Sequence, residues 1–211
     1  MKSIVYLIGA GPGDPGLISV RGLHYLASAD VVLYDHLVHP RLLRRARADA
    51  ELIDVGVAAP QPLEQEAICY LLAEKAREGK TVARLKWGDP FVLDRGGTEA
   101  LFLHEQGVSF DVVPGVPVGI AAPSYAGVPI TYPGGGDTVT FVRGHEDDGK
   151  SRTTVDWASL ARLDGTIVCG SAGQEARGAA DRGRRLGDPR RSATGARTGW
   201  STAALRTGSS R

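Results

Sequence analysis

Cysteine is scarce in this chain of 211 residues: Cys69 and Cys169 stand far apart and in no CxxC pattern. That excludes a disulfide framework and a zinc ribbon, and it suits a reducing compartment. No apolar run approaches the ~20 residues needed to span a bilayer, so no membrane partner is expected. The N-terminus enters its first apolar run almost at once, which leaves no signal peptide and makes cytoplasm the expected setting. Net charge is nearly absent too, at +1, which gives no reason to expect a nucleic-acid partner.

The last missing class is local. After Val168 there is no Ile, Val, Phe or Met, and the large apolar residues are Leu186, Trp200 and Leu205. From Gly170 to Arg211 the chain holds nine Arg against three acidic residues, a local +6. Such text buries too little apolar area to offset its ordering entropy, so disorder is expected. A basic tail for an acidic partner and a shifted reading frame are the other readings of residues 170–211.

What is present, over residues 1–114, is a regular alternation of strand and helix patterns. Ile4 to Ile8, Val31 to Tyr34, Leu52 to Val55, Thr81 to Leu85 and Phe110 to Val113 are short apolar runs of the buried-strand type. Between them lie helix patterns: Ser19 as a cap, Pro40 in a first turn, Leu63 to Glu78 stopped by Gly79, and Thr98 to Gln106 stopped by Gly107. This alternation predicts an α/β fold with a mainly parallel N-terminal sheet. Pro114-Gly115-Val116-Pro117 marks a boundary. Strands at Thr138 to Arg143 and Thr166 to Cys169, with Asp156 capping a helix, begin a second, incomplete α/β domain over 115–169.

Two glycine-rich loops follow strands. The first is Gly9-Ala10-Gly11-Pro12-Gly13-Asp14-Pro15-Gly16 and the second Trp87-Gly88-Asp89-Pro90-Phe91. Open α/β sheets bind ligands at the carboxyl ends of their strands. The first loop is not a dinucleotide fingerprint, because Asp14 takes the place of the third Gly and Pro12 occupies the turn; a pyrophosphate is disfavoured beside Asp14. Asp35 follows the second strand and is either a general base or a turn cap. His36 and His39 are weak metal candidates without a Cys/His cluster around them, and no metal is expected. Arg84 and Lys86 are either a grip for substrate carboxylates or a solvated charged edge.

The ordered set of motifs carries a resemblance. Gly9-Ala-Gly-Pro-Gly-Asp-Pro15, Tyr34-Asp-His-Leu-Val38, Arg84-Leu-Lys-Trp-Gly-Asp-Pro-Phe91, Arg95-Gly-Gly97, Val112-Val-Pro-Gly115, Tyr125-Ala-Gly-Val-Pro129 and Gly144-His145 together resemble the tetrapyrrole methylase family over about residues 3 to 169. The resemblance implies two α/β domains, S-adenosylmethionine as cofactor in a cleft between them, and a homodimer if the second domain is intact. It implies C-methylation of uroporphyrinogen III towards precorrin-2, on the way to sirohaem and cobalamin. By motif position, Pro12, Trp87, Gly88, Asp89, Val92, Pro117 and Val118 match the family's cofactor contacts. Asp35 matches its proton acceptor.

Three departures stand out. Val57 occupies the place of a family Lys assigned as proton donor, and valine transfers no proton. Trp87 replaces the first Gly of Gly-Gly-Asp-Pro, and Tyr132-Pro133 replaces His-Arg. They leave open a same-fold methyltransferase for another tetrapyrrole or acceptor, or an inactive remnant.

Overall fold

A computed structural model describes residues 3–56, 62–133, 136–143, 155–172, 192–198 and 200–207. Val57, Gly144, His145 and the segment 173–191 lie outside the described residues. The chain divides into two compact units, 1–117 and 118–211. The sequence reading sets this change at 114.

The first unit is built on five strands: β1 (Ile4–Gly9), β2 (Val31–Tyr34), β3 (Glu51–Asp54), β4 (Thr81–Lys86) and β5 (Phe110–Val113). They lie in the order β3-β2-β4-β1-β5, and every neighbouring pair is parallel. Among the described residues, four α-helices connect or flank them: α1 (Val20–Ser28), α2 (Pro40–Leu43), α3 (Gln65–Arg77) and α4 (Gly96–Glu105). Ser19 caps α1 by accepting the Gly22 N–H at 3.1 Å. The helix expected to continue from Pro40 through Ala46 stops at Leu43 and gives way to turns.

Alternate residues of each strand feed opposite faces, as the pleat requires. Val5, Leu7, Val31, Leu33 and Val82 pack with Ile68, Leu72 and Ala76 of α3 and Leu103 of α4. Ile8, Val32, Ala83 and Leu85 pack with Leu26 of α1 and Leu42 of α2. The connections explain the division. From β1 to β3 the chain steps one way across the sheet, and from β3 to β5 it steps the other way. Right-handed crossovers in opposite directions place their helices on opposite faces. β1 and β4, which are neighbours, therefore form the switch point of the sheet, the place where open α/β sheets receive their ligands.

The second unit holds α5 (Val118–Tyr125), β6 (Thr138–Arg143), α6 (Trp157–Arg162) and β7 (Gly165–Ala172). β6 and β7 are parallel, and Val142, Trp157, Ile167 and Cys169 form their core. Asp156 caps α6 through the Ser159 N–H at 3.0 Å. The sequence reading expects disorder over 170–211, of which the structure describes 170–172, 192–198 and 200–207. There β8 (Ser192–Thr198) and β9 (Trp200–Thr207) pair antiparallel, and β9 pairs antiparallel with β7. The order is β6-β7-β9-β8. Main-chain bonding to the open edge of β7 supplies an ordering force that composition does not reveal.

Candidate active site at the carboxyl ends of β1, β2 and β4

Three loops of the first unit meet at the switch point. Gly11 and Gly88 exchange main-chain hydrogen bonds, Gly88 N–H to Gly11 O at 2.8 Å and Gly11 N–H to Gly88 O at 3.2 Å. Both have positive φ, 79° and 73°, a conformation that glycine takes without steric cost. The loop after β5 joins them at Gly115. A Cβ on Gly115 would lie 2.2 Å from Gly88 O, and one on Gly9 would lie 2.4 Å from Gly115 N. The glycines at 9, 88 and 115 thus permit three backbones to touch.

Asp89 fastens the same junction. Its Oδ1 accepts the Phe91 N–H at 2.8 Å and its Oδ2 accepts the Gly115 N–H at 2.9 Å. Both carboxylate oxygens are engaged inside the protein. Asp14 works similarly on the first loop, where Oδ1 accepts the Gly16 N–H at 2.7 Å.

Beneath the loops lies a charge cluster that sequence reasoning missed. Arg84 and Lys86 are 2% and 1% exposed, so they are neither a solvated edge nor a ready grip for substrate carboxylates. They share a face of β4 with Val82 and meet Glu99 of α4, which is fully buried. Glu99 Oε1 accepts from Arg84 Nε at 3.2 Å, Lys86 Nζ at 3.0 Å and Gln65 Nε2 at 3.2 Å. Glu99 Oε2 is buried with no hydrogen-bond partner among the described residues. The available signal was two cations at period 2 in an interior parallel strand. Both faces of such a strand are covered, so the charges require buried partners.

Two half-buried carboxylates complete the cluster. Asp35 Oδ1 accepts from Arg84 Nη2 at 2.6 Å, and Oδ2 accepts the Trp87 N–H at 2.8 Å. Burial pushes the Asp35 carboxyl up, but the charges of Arg84 and Lys86 and the Trp87 amide outweigh it and hold the group below its ordinary value. Asp94 lies 3.3 Å from Lys86 Nζ. There burial dominates and raises the carboxyl, against the pull of Lys86 and the Arg95 amide. The Arg84 guanidinium is disfavoured by burial but lifted further by Glu99 and Asp35, so it stays charged.

The structure therefore joins Gly88 and Asp89 to Gly11, the residue before Pro12, and to Gly115, and ties Asp35 to the Trp87 amide. Val92 lies exposed on the loop after β4, where Leu93 has φ 54°. Pro117 closes the first unit and Val118 opens the second. The His pair separates in role. His39 Nδ1 accepts the Arg41 N–H at 3.1 Å and caps α2. His36 Nδ1 donates to Asp54 Oδ2 at 2.8 Å.

These residues fit a ligand bearing a sulfonium, an amino acid and an aromatic base. The junction is built of main-chain groups and not of fixed cations, the Asp14 and Asp89 carboxylates serving the loops themselves, and Gly13 has φ 116° and open space at its Cβ position.

The descriptive model of the family Tetrapyrrole (Corrin/Porphyrin) Methylases matches residues 4–211. A uroporphyrinogen-III C-methyltransferase of Priestia megaterium is 49% identical over 159 residues, covering 75% of this chain and 66% of that protein. A siroheme synthase of Chromobacterium violaceum is 49% identical over 165 residues, covering 78% of this chain and 35% of that protein. The chain thus spans less than two thirds of the length of these curated relatives. A crystal structure of uroporphyrin-III C-methyltransferase from Thermus thermophilus, complexed with S-adenosyl homocysteine, superposes with TM-score 0.75 at 36% identity, covering 96% of this chain and 87% of that one.

Proposed function

From the premise that this chain belongs to the tetrapyrrole methylase family, we propose that it is an S-adenosylmethionine-dependent C-methyltransferase acting on uroporphyrinogen III towards precorrin-2. The observation that carries this reading is the three-loop junction at the β1/β4 switch point, joined by Gly11, Gly88, Asp89 and Gly115. It sits where a parallel sheet receives its ligands.

Pro12, Trp87, Gly88, Asp89, Val92, Pro117 and Val118 are the residues proposed to hold the cofactor. When bound, S-adenosylmethionine supplies an electrophilic methyl on a sulfonium. The chain's own part is placement. Asp89 contributes through its backbone and through the loop it fastens, since Phe91 and Gly115 occupy its carboxylate. Trp87 is held at its amide by Asp35. Aligning a carbon nucleophile with a methyl donor supplies most of what such a reaction needs. Asp35 stays ionised and anchors the loop. To take a proton it must loosen a bond to Arg84 or Trp87. The reading carries with it a tetrapyrrole as substrate, a homodimer and a cytoplasmic setting. No helix among the described residues is long and apolar enough to cross a membrane.

The test is calorimetry of the purified chain with S-adenosylmethionine, followed by incubation with uroporphyrinogen III and mass analysis. Micromolar binding, about 8 kcal/mol, and product heavier by one or two methyl groups are expected. Asp89→Ala is expected to weaken the binding at least tenfold. Absence of binding would remove the reading. Trp87 favours a second one, because an indole stands where the family motif has a glycine. Cofactor binding without turnover of uroporphyrinogen III would select another acceptor.

A further inference from the structure

Resting on the methyltransferase reading, we propose that His36, oriented by Asp54, accepts the proton that the methylated ring must lose. A ring carbon that gains a methyl group leaves the ring system cationic. Neutrality returns when one ring proton departs. The pair of that bond stays with the ring, the lone pair of His36 Nε2 forms the new N–H bond, and the imidazolium then gives its proton to water.

The dyad is a built arrangement. His36 lies two residues past β2 and Asp54 is the last residue of β3, so both stand at the carboxyl ends of adjacent parallel strands. His36 Nδ1–H donates to Asp54 Oδ2 at 2.8 Å, and Asp54 Oδ1 accepts the Gly56 N–H at 3.0 Å. Both oxygens of Asp54 are thereby fixed. The turn admits only glycine at 56, because a Cβ there would lie 2.3 Å from His36 N. The side chains of His36 and Asp54 are 45% and 18% exposed, so the carboxylate is enclosed and the ring reaches outward. A ring that donates through Nδ1 keeps its lone pair on Nε2. No described residue bonds Nε2.

The neighbourhood makes the assignment specific. His36 follows Asp35, whose carboxylate holds the Trp87 amide towards β4, while His36 itself pairs with Asp54 towards β3. Asp35 itself is bound at both oxygens and held below its ordinary pKa, which makes it a weak base. Val57, next after Gly56 in sequence, offers no proton-transfer group. Among these candidates only His36 combines a basic lone pair with exposure. Asp54 acts through His36 and is a positioning residue.

The experiment compares the full chain with His36→Ala, His36→Gln, Asp54→Asn and the His36→Ala/Asp54→Asn pair, using S-adenosylmethionine and uroporphyrinogen III. His36→Ala and His36→Gln are expected to lower kcat by about 10²- to 10⁴-fold, with cofactor affinity and melting temperature unchanged. His36→Gln keeps an amide donor for Asp54 but lacks the base, so it separates chemistry from packing. Added imidazole is expected to restore His36→Ala in proportion to its concentration. Asp54→Asn is expected to lower kcat with KM unchanged and to add nothing in the His36→Ala background. Wild-type kcat in His36→Gln overturns the inference alone. No methyl transfer by the unaltered chain overturns the functional reading and the inference with it.

Discussion

At the scale of single residues, the buried cluster sets the electrostatics of the first unit. Three carboxylates, Asp35, Asp94 and Glu99, share two cations, Arg84 and Lys86. The surplus negative charge falls on the member least well paired. Glu99 takes three donors and Asp35 takes two, whereas Asp94 has Lys86 at 3.3 Å and the neighbouring Arg95 amide. Burial, the largest influence on Asp94, raises its carboxyl above the ordinary value. The folded state therefore binds the Asp94 proton more tightly than the unfolded chain does. Its contribution to stability is full below the unfolded pKa, about 3.9, and is lost as pH rises through the folded value. Asn at 94 never carries this charge. Asp94→Asn should thus melt near wild type at acid pH and above it at pH 8. Melting curves across pH check the sign. A difference that shrinks with rising pH would show that Lys86 stabilises the charged form more than burial penalises it.

At the scale of elements, the strands and the glycine loops were legible because their signals are local. Phe110–Val113 and Thr138–Arg143 coincide with their apolar runs, and the loops at 9–16 and 87–91 announced themselves by Gly and Pro. What joins the elements was not legible. The approach of Gly9, Gly88 and Gly115 depends on strand order, and so does the pairing of Arg84 with Asp35. No window of sequence contains both partners. His36 was visible as a residue, but its pairing with Asp54 needs β2 and β3 side by side. The β9 pairing was hidden for the same reason, since an open edge can order a chain that side-chain burial alone does not. The glycine contact yields a direct check. Gly115→Ala places a methyl 2.2 Å from Gly88 O, where backbone must move. A loss of about 1–3 kcal/mol in urea unfolding is expected, together with weakened S-adenosylmethionine binding, because the same shift breaks the Asp89 bond to the Gly115 amide. Unchanged stability and binding would show that the three loops separate without consequence.

At the scale of the whole molecule, the two units draw on different sources of order. The first closes two apolar clusters over a five-stranded sheet, with helices on both faces. Among its described residues the second has one small cluster, and its sheet is extended by strands of Ala, Ser, Thr and Arg with Trp200 and Leu205 among them. β9 covers β7 from Gly165 to Ala172. Removing residues 173–211 would strip that cover and leave β7 an open edge carrying Ile167, Val168 and Cys169. Unpaired edges of this kind recruit other chains. The shortened chain is therefore expected to lose protection against hydrogen exchange in β6 and β7 and to self-associate on size-exclusion chromatography. β1 to β5 should keep their protection, because their clusters are complete within residues 1–117. Equal protection in β7 with and without residues 173–211 would mean that β8 and β9 contribute no stability. Loss of protection throughout the first unit would mean instead that its sheet depends on the second unit for folding.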